Sequence, residues 1–333
     1  MTYTFARFHI TRIQESTMPP QLRSFLGLLA TAFVTCAGAA APMSRAPAPG
    51  FHRMMLGEFE VTAISDGTVE LPMNELLTNT TKAHVDKVLR GYFLESPLET
   101  SVNGYLVNTG AKLVLIDAGA GGLFGPTLGK LVANIKASGY QPEQVDEIYI
   151  THMHPDHVGG LSSDGKMNFP NAMVRADKRD SDYWLSADNL AKADAGSKGF
   201  FQGAQGALQP YVDGGKFSAF EGDTELIAGV KTHASHGHTQ GHTTYMVESG
   251  GQKLVLWGDL LHVAAVQFAE PSITIKFDSD STSALIERKR AFADAAKNGY
   301  WVAAAHLAFP GIGHLVSVSR GYSFIPANYT VPR

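Results

Sequence analysis

The chain has 333 residues, 44% hydrophobic, 17% charged and 10% aromatic, a balance that excludes a disordered or fibrous protein. Its formal net charge is −4, with no long charge run to act as a basic arm. No Pro/Gly/Ser linker, fixed-period repeat or low-complexity segment divides the middle, so one large α/β domain is expected.

The N-terminus reads as a secretory signal. Arg23 precedes the apolar run Phe25 to Val34, which leads into Ala37-Gly38-Ala39-Ala40-Ala41. A positive start, a short apolar core and an Ala-x-Ala exit suit cleavage near Ala39, and the run is too short to span a bilayer. The polar stretch before it points to Met18 as the translated start. The alternative is an uncleaved anchor. We therefore expect a signal peptide over 1–39, an extension over 40–55 and one domain over 56–333. The expected protein is secreted or periplasmic, free of the membrane after cleavage. The single cysteine, Cys36, lies inside the signal, so neither disulfides nor thiolate metal ligands are expected in the mature chain. Removing residues 1–41 takes three Arg and one Glu from 27 basic and 31 acidic residues, leaving 24 and 30. Nothing basic remains to track a phosphate backbone, which argues against nucleic acid as a partner.

Phe59 to Ile64 alternates apolar and polar residues, as a half-buried strand does, and Asp66-Gly67 reads as a turn. Ser101 to Val107 and Leu113 to Ile116 read as strands, the second ending at Asp117 before a glycine-rich loop, Ala118 to Gly125. Pro126 to Ser138 has helical spacing, with Leu128, Leu131, Val132 and Ile135 on one stripe. After a turn at Pro142, Ile148-Tyr149-Ile150 is a short buried strand. Ala172 to Arg175, Leu254 to Trp257 and Val302 to Ala305 are further strand-length apolar runs. A helix over Ser281 to Lys297 precedes the last of them, capped by Asp280 or Ser281. Strands and helices alternate in both halves, which predicts a layered α/β protein with its active residues at strand ends.

The chemistry concentrates after Ile150, in Thr151-His152-Met153-His154-Pro155-Asp156-His157. Imidazole and carboxylate are ligands for borderline divalent metals such as zinc. Residues 152 and 154 project to one side of an extended segment and can share an ion. Pro155 and the turn after it aim Asp156 and His157 toward a second. Further candidate ligands follow strands: His233, His236, His238 and His242 in one region, then Asp259 and His306. Taken singly, each of these histidines is an ordinary hydrogen-bonded residue; beside the 152–157 cluster they read as ligands.

These residues carry a resemblance. His152-x-His154-x-Asp156-His157, Gly237-His238-Thr239-Gln240-Gly241-His242 and Gly258-Asp259 resemble the metallo-β-lactamase superfamily. The resemblance implies an αββα sandwich with two divalent ions, expected to be zinc, at one edge. It places His152, His154 and His238 on one ion, Asp156, His157 and His306 on the other, and Asp259 between them beside a bridging hydroxide as the catalytic carboxylate. His242 and Asp117 would orient ligands rather than bind metal. His236 competes with His238, which its Gly-His-Thr-x-Gly-His setting favours. The glycines at 119, 121, 122 and 125 miss the dinucleotide-binding spacing, and no G-x-S-x-G offers a serine nucleophile.

Leu98 to Val102, Gly122 to Thr127, Tyr149 to His154 and Phe309 to His314 resemble methyl parathion hydrolase and dihydrocoumarin-type lactonases. That similarity implies an aromatic pocket of Phe124, Trp184 and Phe200 for a flat apolar group. The sequence departs from the phosphotriesterases at Leu76 (Arg there), His262 (Leu), Ile275 (Thr) and Phe277 (Leu), and in a shorter loop before Ser197. Bulk at 275 and 277 narrows the space around a tetrahedral phosphorus, so an aryl ester or lactone is the expected substrate and an organophosphate triester a secondary one. A β-lactamase, an iron oxidoreductase and a non-catalytic metal-binding protein are the alternatives, and exposed aromatics leave room for a homodimer.

Overall fold

The computed structural model describes residues 41–44 and 47–331, so the expected signal segment lies outside the described residues. From Ala48 onward the chain forms one compact unit. Two seven-stranded sheets face each other. In the first, Phe51–Leu56, Phe59–Leu71, Leu98–Asn108, Leu113–Ile116, Glu147–Tyr149, Met173–Asp177 and Phe217–Phe220 lie side by side in that order. In the second the order is Glu225–Ile227, Val230–Ala234, Thr243–Ser249, Gln252–Leu256, Trp301–Ala303, Ile312–Ser317 and Tyr322–Pro326.

Alternation explains the layers. Val114 and Ile116 point into the core between the sheets, where Val61, Val107 and Tyr149 meet Tyr245, Leu254 and Leu256. Leu115 and Ile148, one residue out of phase, point outward and pack with Leu131, Ile135, Phe201 and Leu208 from helices. On the far side, Val255, Trp257 and Val302 pack with Phe292 and Ala295 of the helix Ser281–Asn298. Strands covered on both faces read as unbroken apolar runs, which is why Leu113 to Ile116 shows no alternation in sequence. Helix, sheet, sheet, helix is the expected αββα order.

Direction then sets the working edge. Leu113–Ile116, Glu147–Tyr149 and Met173–Asp177 run parallel, as do Gln252–Leu256 and Trp301–Ala303. Asp117, the 151–157 segment, Asp259 and His306 all follow C-terminal ends of these strands.

Three expectations need correction. Phe51–Leu56 pairs along its whole length with the strand beginning at Phe59, so the domain takes in part of the 40–55 extension. Asp66-Gly67 is no turn: the strand runs on to Leu71 through a register shift between Ser65 and Gly67. The buried Asp66 carboxylate there accepts the N–H groups of Ala120, Gly129 and Leu131, each at 3.0 Å. The helix expected from Pro126 begins only at Leu131, where Asp66 supplies its N-terminal acceptor. The helix Ser281–Asn298 is capped as expected, by the Asp280 side chain on Thr282 N and Ser283 N.

Candidate metal centre

His154 is the extended N-cap of a four-residue helix, Pro155–Val158, and Pro155 occupies its first turn. The chain therefore turns between His154 and Asp156 and divides its ligands between two directions. Two groups of side chains result, each with ligand atoms within 4.8 Å of one another: His152, His154, His238 and Asp259; and Asp156, His157, Asp259 and His306. All seven expected ligands are thus brought together, with Asp259 in both groups.

Asp259 Oδ2 lies 3.3 Å from His238 Nε2, 3.6 Å from His152 Nε2 and 3.1 Å from His306 Nε2, while Oδ1 lies 3.2 Å from His157 Nε2. His154 Nδ1 is 3.1 Å from His238 Nε2, and Asp156 Oδ2 stands 3.6 Å from His157 Nε2 and 3.5 Å from His306 Nε2. Ligands about 2.1 Å from a tetrahedral ion stand roughly 3.4 Å apart, so this spacing suits shared coordination. His152 Nε2, His157 Nε2 and Asp259 Oδ1 are buried without a hydrogen-bond partner. Such atoms are costly to bury unless something else binds them. The donor set fits two divalent ions.

Neighbours fix which nitrogen of each ring is free. His157 Nδ1 is 2.8 Å from Asp117 Oδ2, His238 Nδ1 is 2.9 Å from Asp278 Oδ1, and His306 Nδ1 is 2.8 Å from the Ser101 carbonyl. Each therefore presents Nε2 to the centre. Asp117 also accepts Thr151 N–H and Thr151 Oγ, both at 2.8 Å, from a positive φ of 57°. His242 accepts the Asp259 N–H at Nε2, 3.1 Å away, so its proton sits on Nδ1, 2.7 Å from Ser235 Oγ. His242 is thus outside both ligand groups, as the resemblance implied. Gly258 makes room for it: a Cβ there would fall 2.8 Å from His242 Nε2.

Burial lowers the pKa of His152 and His154 well below the usual imidazole value and that of His242 to about 3, leaving neutral rings. Burial opposes the charged form of His238 too, but Asp259 and Asp278 overcome it and raise His238 to about 9. Against its own burial, Asp259 is held well below the carboxylate range by His157, His306, His262 and His152.

Trp184 and Phe200 stand over His154, with ring centroids 5.3 and 5.1 Å away. Phe277 reaches Phe200 at 6.3 Å and His262 at 6.0 Å. Leu76 and Phe277 pack on a cluster in which Ile275 is fully buried, so Ile275 backs this wall rather than facing a substrate. Phe124 is 39% exposed, while Trp184 and Phe200 lie 6.4 Å apart, ring centroid to ring centroid. His262 is nearer the centre than a pocket wall: its Nε2 lies 3.1 Å from Asp259 Oδ2 and its ring stacks on His306 at 4.9 Å. His236 binds Arg179 at 2.7 Å and His233 binds Asp223 at 3.0 Å, both outside the two groups.

Sequence reasoning missed Asp278 and Asp180. Asp278 sits in Asp278-Ser279-Asp280, which reads as helix-capping residues, and Asp180 in Lys178-Arg179-Asp180-Ser181-Asp182, which reads as a solvated face. Neither segment carries a signal for burial.

Residues 98–306 match the family model described as the metallo-beta-lactamase superfamily. The chain belongs to that superfamily. It is similar to the crystal structure of the hydrolase AbOPH in the beta lactamase superfamily, 38% identical with a TM-score of 0.81 over 86% of this chain and 100% of that one. It is also similar to AidC, a dizinc quorum-quenching lactonase crystallised with N-hexanoyl-L-homoserine product, at 26% identity and a TM-score of 0.78 over 85% and 99% of the two chains. An N-acyl homoserine lactonase of Bacillus cereus is 25% identical over 159 residues, 48% of this chain. The match spans little more than half of that relative, 55% of its length.

Proposed function

We propose that the protein opens aryl lactones and esters at a pair of zinc ions and cleaves organophosphate triesters only as a side reaction. Two divalent ions at this site would supply a water that ionises near neutral pH and would polarise the carbonyl under attack. His152, His154 and His238 would hold one and Asp156, His157 and His306 the other, with Asp259 spanning both. Asp259 would also help position the attacking water and manage its proton, with the ions doing most of the activation. The observation that supports the substrate class is the set of rings beside the centre: Trp184 and Phe200 meet His154 edge-on, and Phe277 reaches Phe200. Flat apolar rings beside the centre favour a planar ring ester over a phosphorus bearing three substituents. The sequence segments that resemble methyl parathion hydrolase would suit an aryl leaving group.

A second reading, N-acyl homoserine lactone hydrolysis, is favoured by the likeness to AidC. Comparing kcat/KM of the zinc-loaded protein on dihydrocoumarin, N-hexanoyl homoserine lactone and methyl parathion tests both. Preference for dihydrocoumarin supports the first reading, preference for the acyl lactone supports the second, and preference for the triester overturns both. We further propose export to the periplasm or medium; a mature N-terminus near residue 40 after expression in a secreting host is the expected result.

A further inference from the structure

Asp180 is a buried carboxylate with no role in the chemistry described so far. It lies in the helix Lys178–Trp184, is 0% exposed, and has no ion-pair partner among the described residues. An uncompensated buried carboxylate is costly, and this one is stabilised by backbone donors from two distant loops. Its Oδ2 accepts the Met153 N–H at 2.8 Å and its Oδ1 accepts the Gly241 N–H at 2.7 Å. Met153 lies between His152 and His154, and Gly241 lies between His238 and His242. The loop and helix are pressed together at that point: a Cβ on residue 241 would fall 2.6 Å from the Asp180 nitrogen.

We propose that Asp180 is a positioning residue that presets one metal half-site, gripping both loops that carry His152, His154 and His238. The inference rests on the two-metal reading above. The other half-site has its own carboxylate, Asp117, which holds Thr151 and the ring of His157. Among the described residues Asp180 makes no hydrogen bond to Asp156, His157 or His306, whereas Asp117 holds His157 directly and reaches His152 only through Thr151 Oγ, 3.1 Å from His152 Nδ1.

The test is zinc affinity, measured by competition with a chromophoric chelator on the folded, full-length protein. In Asp180→Asn the amide keeps the shape but turns one acceptor into a donor facing an N–H. One zinc ion should then weaken about 10–100-fold while the other changes by less than about threefold. In the cobalt-substituted protein, the absorption bands of one coordination environment should shift and those of the other persist. Asp117→Asn should affect the opposite ion first. Equal weakening of both ions in Asp180→Asn, or of neither, overturns the assignment. Should that variant fail to fold, hydrogen exchange on the metal-free wild-type protein decides. Slow, concerted exchange of the Met153 and Gly241 amides supports a loop pair held by Asp180, and fast exchange of both shows that the ion alone orders them. A wild-type protein that binds fewer than two ions would defeat the functional reading itself, a result distinguishable from a failure at Asp180.

Discussion

At the residue scale, Asp259 can serve two ions because its carboxylate lies between both ligand sets, Oδ2 beside His238, His152 and His306 and Oδ1 beside His157. Asp259→Asn removes the charge both ions share. Turnover on an activated aryl ester should fall by at least about a hundredfold, and metal analysis should return fewer than two ions per chain. Asp278 acts one step out, by holding His238 Nδ1. Asp278→Ala frees that ring, and zinc affinity should drop about 10–100-fold in chelator competition while the melting temperature of the metal-free protein changes little. Phe277→Ala removes bulk beside Phe200 and His262. The ratio of triester to lactone kcat/KM should rise about tenfold, a size typical of pocket-volume changes. A ratio that stays constant would remove Phe277 from the substrate wall.

At the element scale, the same type of residue does different work according to what its backbone allows. Asp280 precedes a regular helix and caps it in the ordinary way, so its function was legible from the apolar spacing that follows it. Asp66 stands at a register shift inside a strand, turned inward, and gathers three N–H groups from the glycine loop and the start of the helix Leu131–Ala137. Sequence rules see Asp-Gly and predict a turn because they have no means of knowing that three unsatisfied donors lie around it. Asp66→Ala leaves those donors buried and unpaired, and stability should fall by about 3 kcal/mol, read as a lowered midpoint in chemical denaturation. The helix boundary went wrong for a related reason. The stripe from Leu128 continues the apolar period, but Gly129, at a φ of 77°, keeps the chain from becoming helical before Leu131.

At the scale of the whole molecule, the two sheets converge at one edge, and the ions would tie that edge together. Removing them with a strong chelator should abolish hydrolysis and lower the melting temperature. Saturating zinc at a thousand times its dissociation constant contributes about 4 kcal/mol by mass action alone. Cobalt should restore both properties, and magnesium neither, because imidazole-rich sites select against it. Among the described residues no helix is long and apolar enough to cross a membrane.

The ligands themselves were legible because their signal is local: four donors in six residues after a buried strand, and Asp259 and His306 just past other strand ends. Strand periods and capping residues are local too, so a layered α/β protein followed from them, while the αββα order came from the motif resemblance. What tertiary structure alone decided is which side chains support those ligands. Asp180 meets donors 27 and 61 residues away, and Asp278 meets a histidine 40 residues away. His262 likewise stacks on His306 only through the packing of two loops. A carboxylate's sequence neighbours say whether a helix is beginning; they say nothing about which amides will surround it once the sheets close. Identity of the chemistry is written in short motifs, whereas preorganisation is made by contacts between segments that only the folded chain brings together.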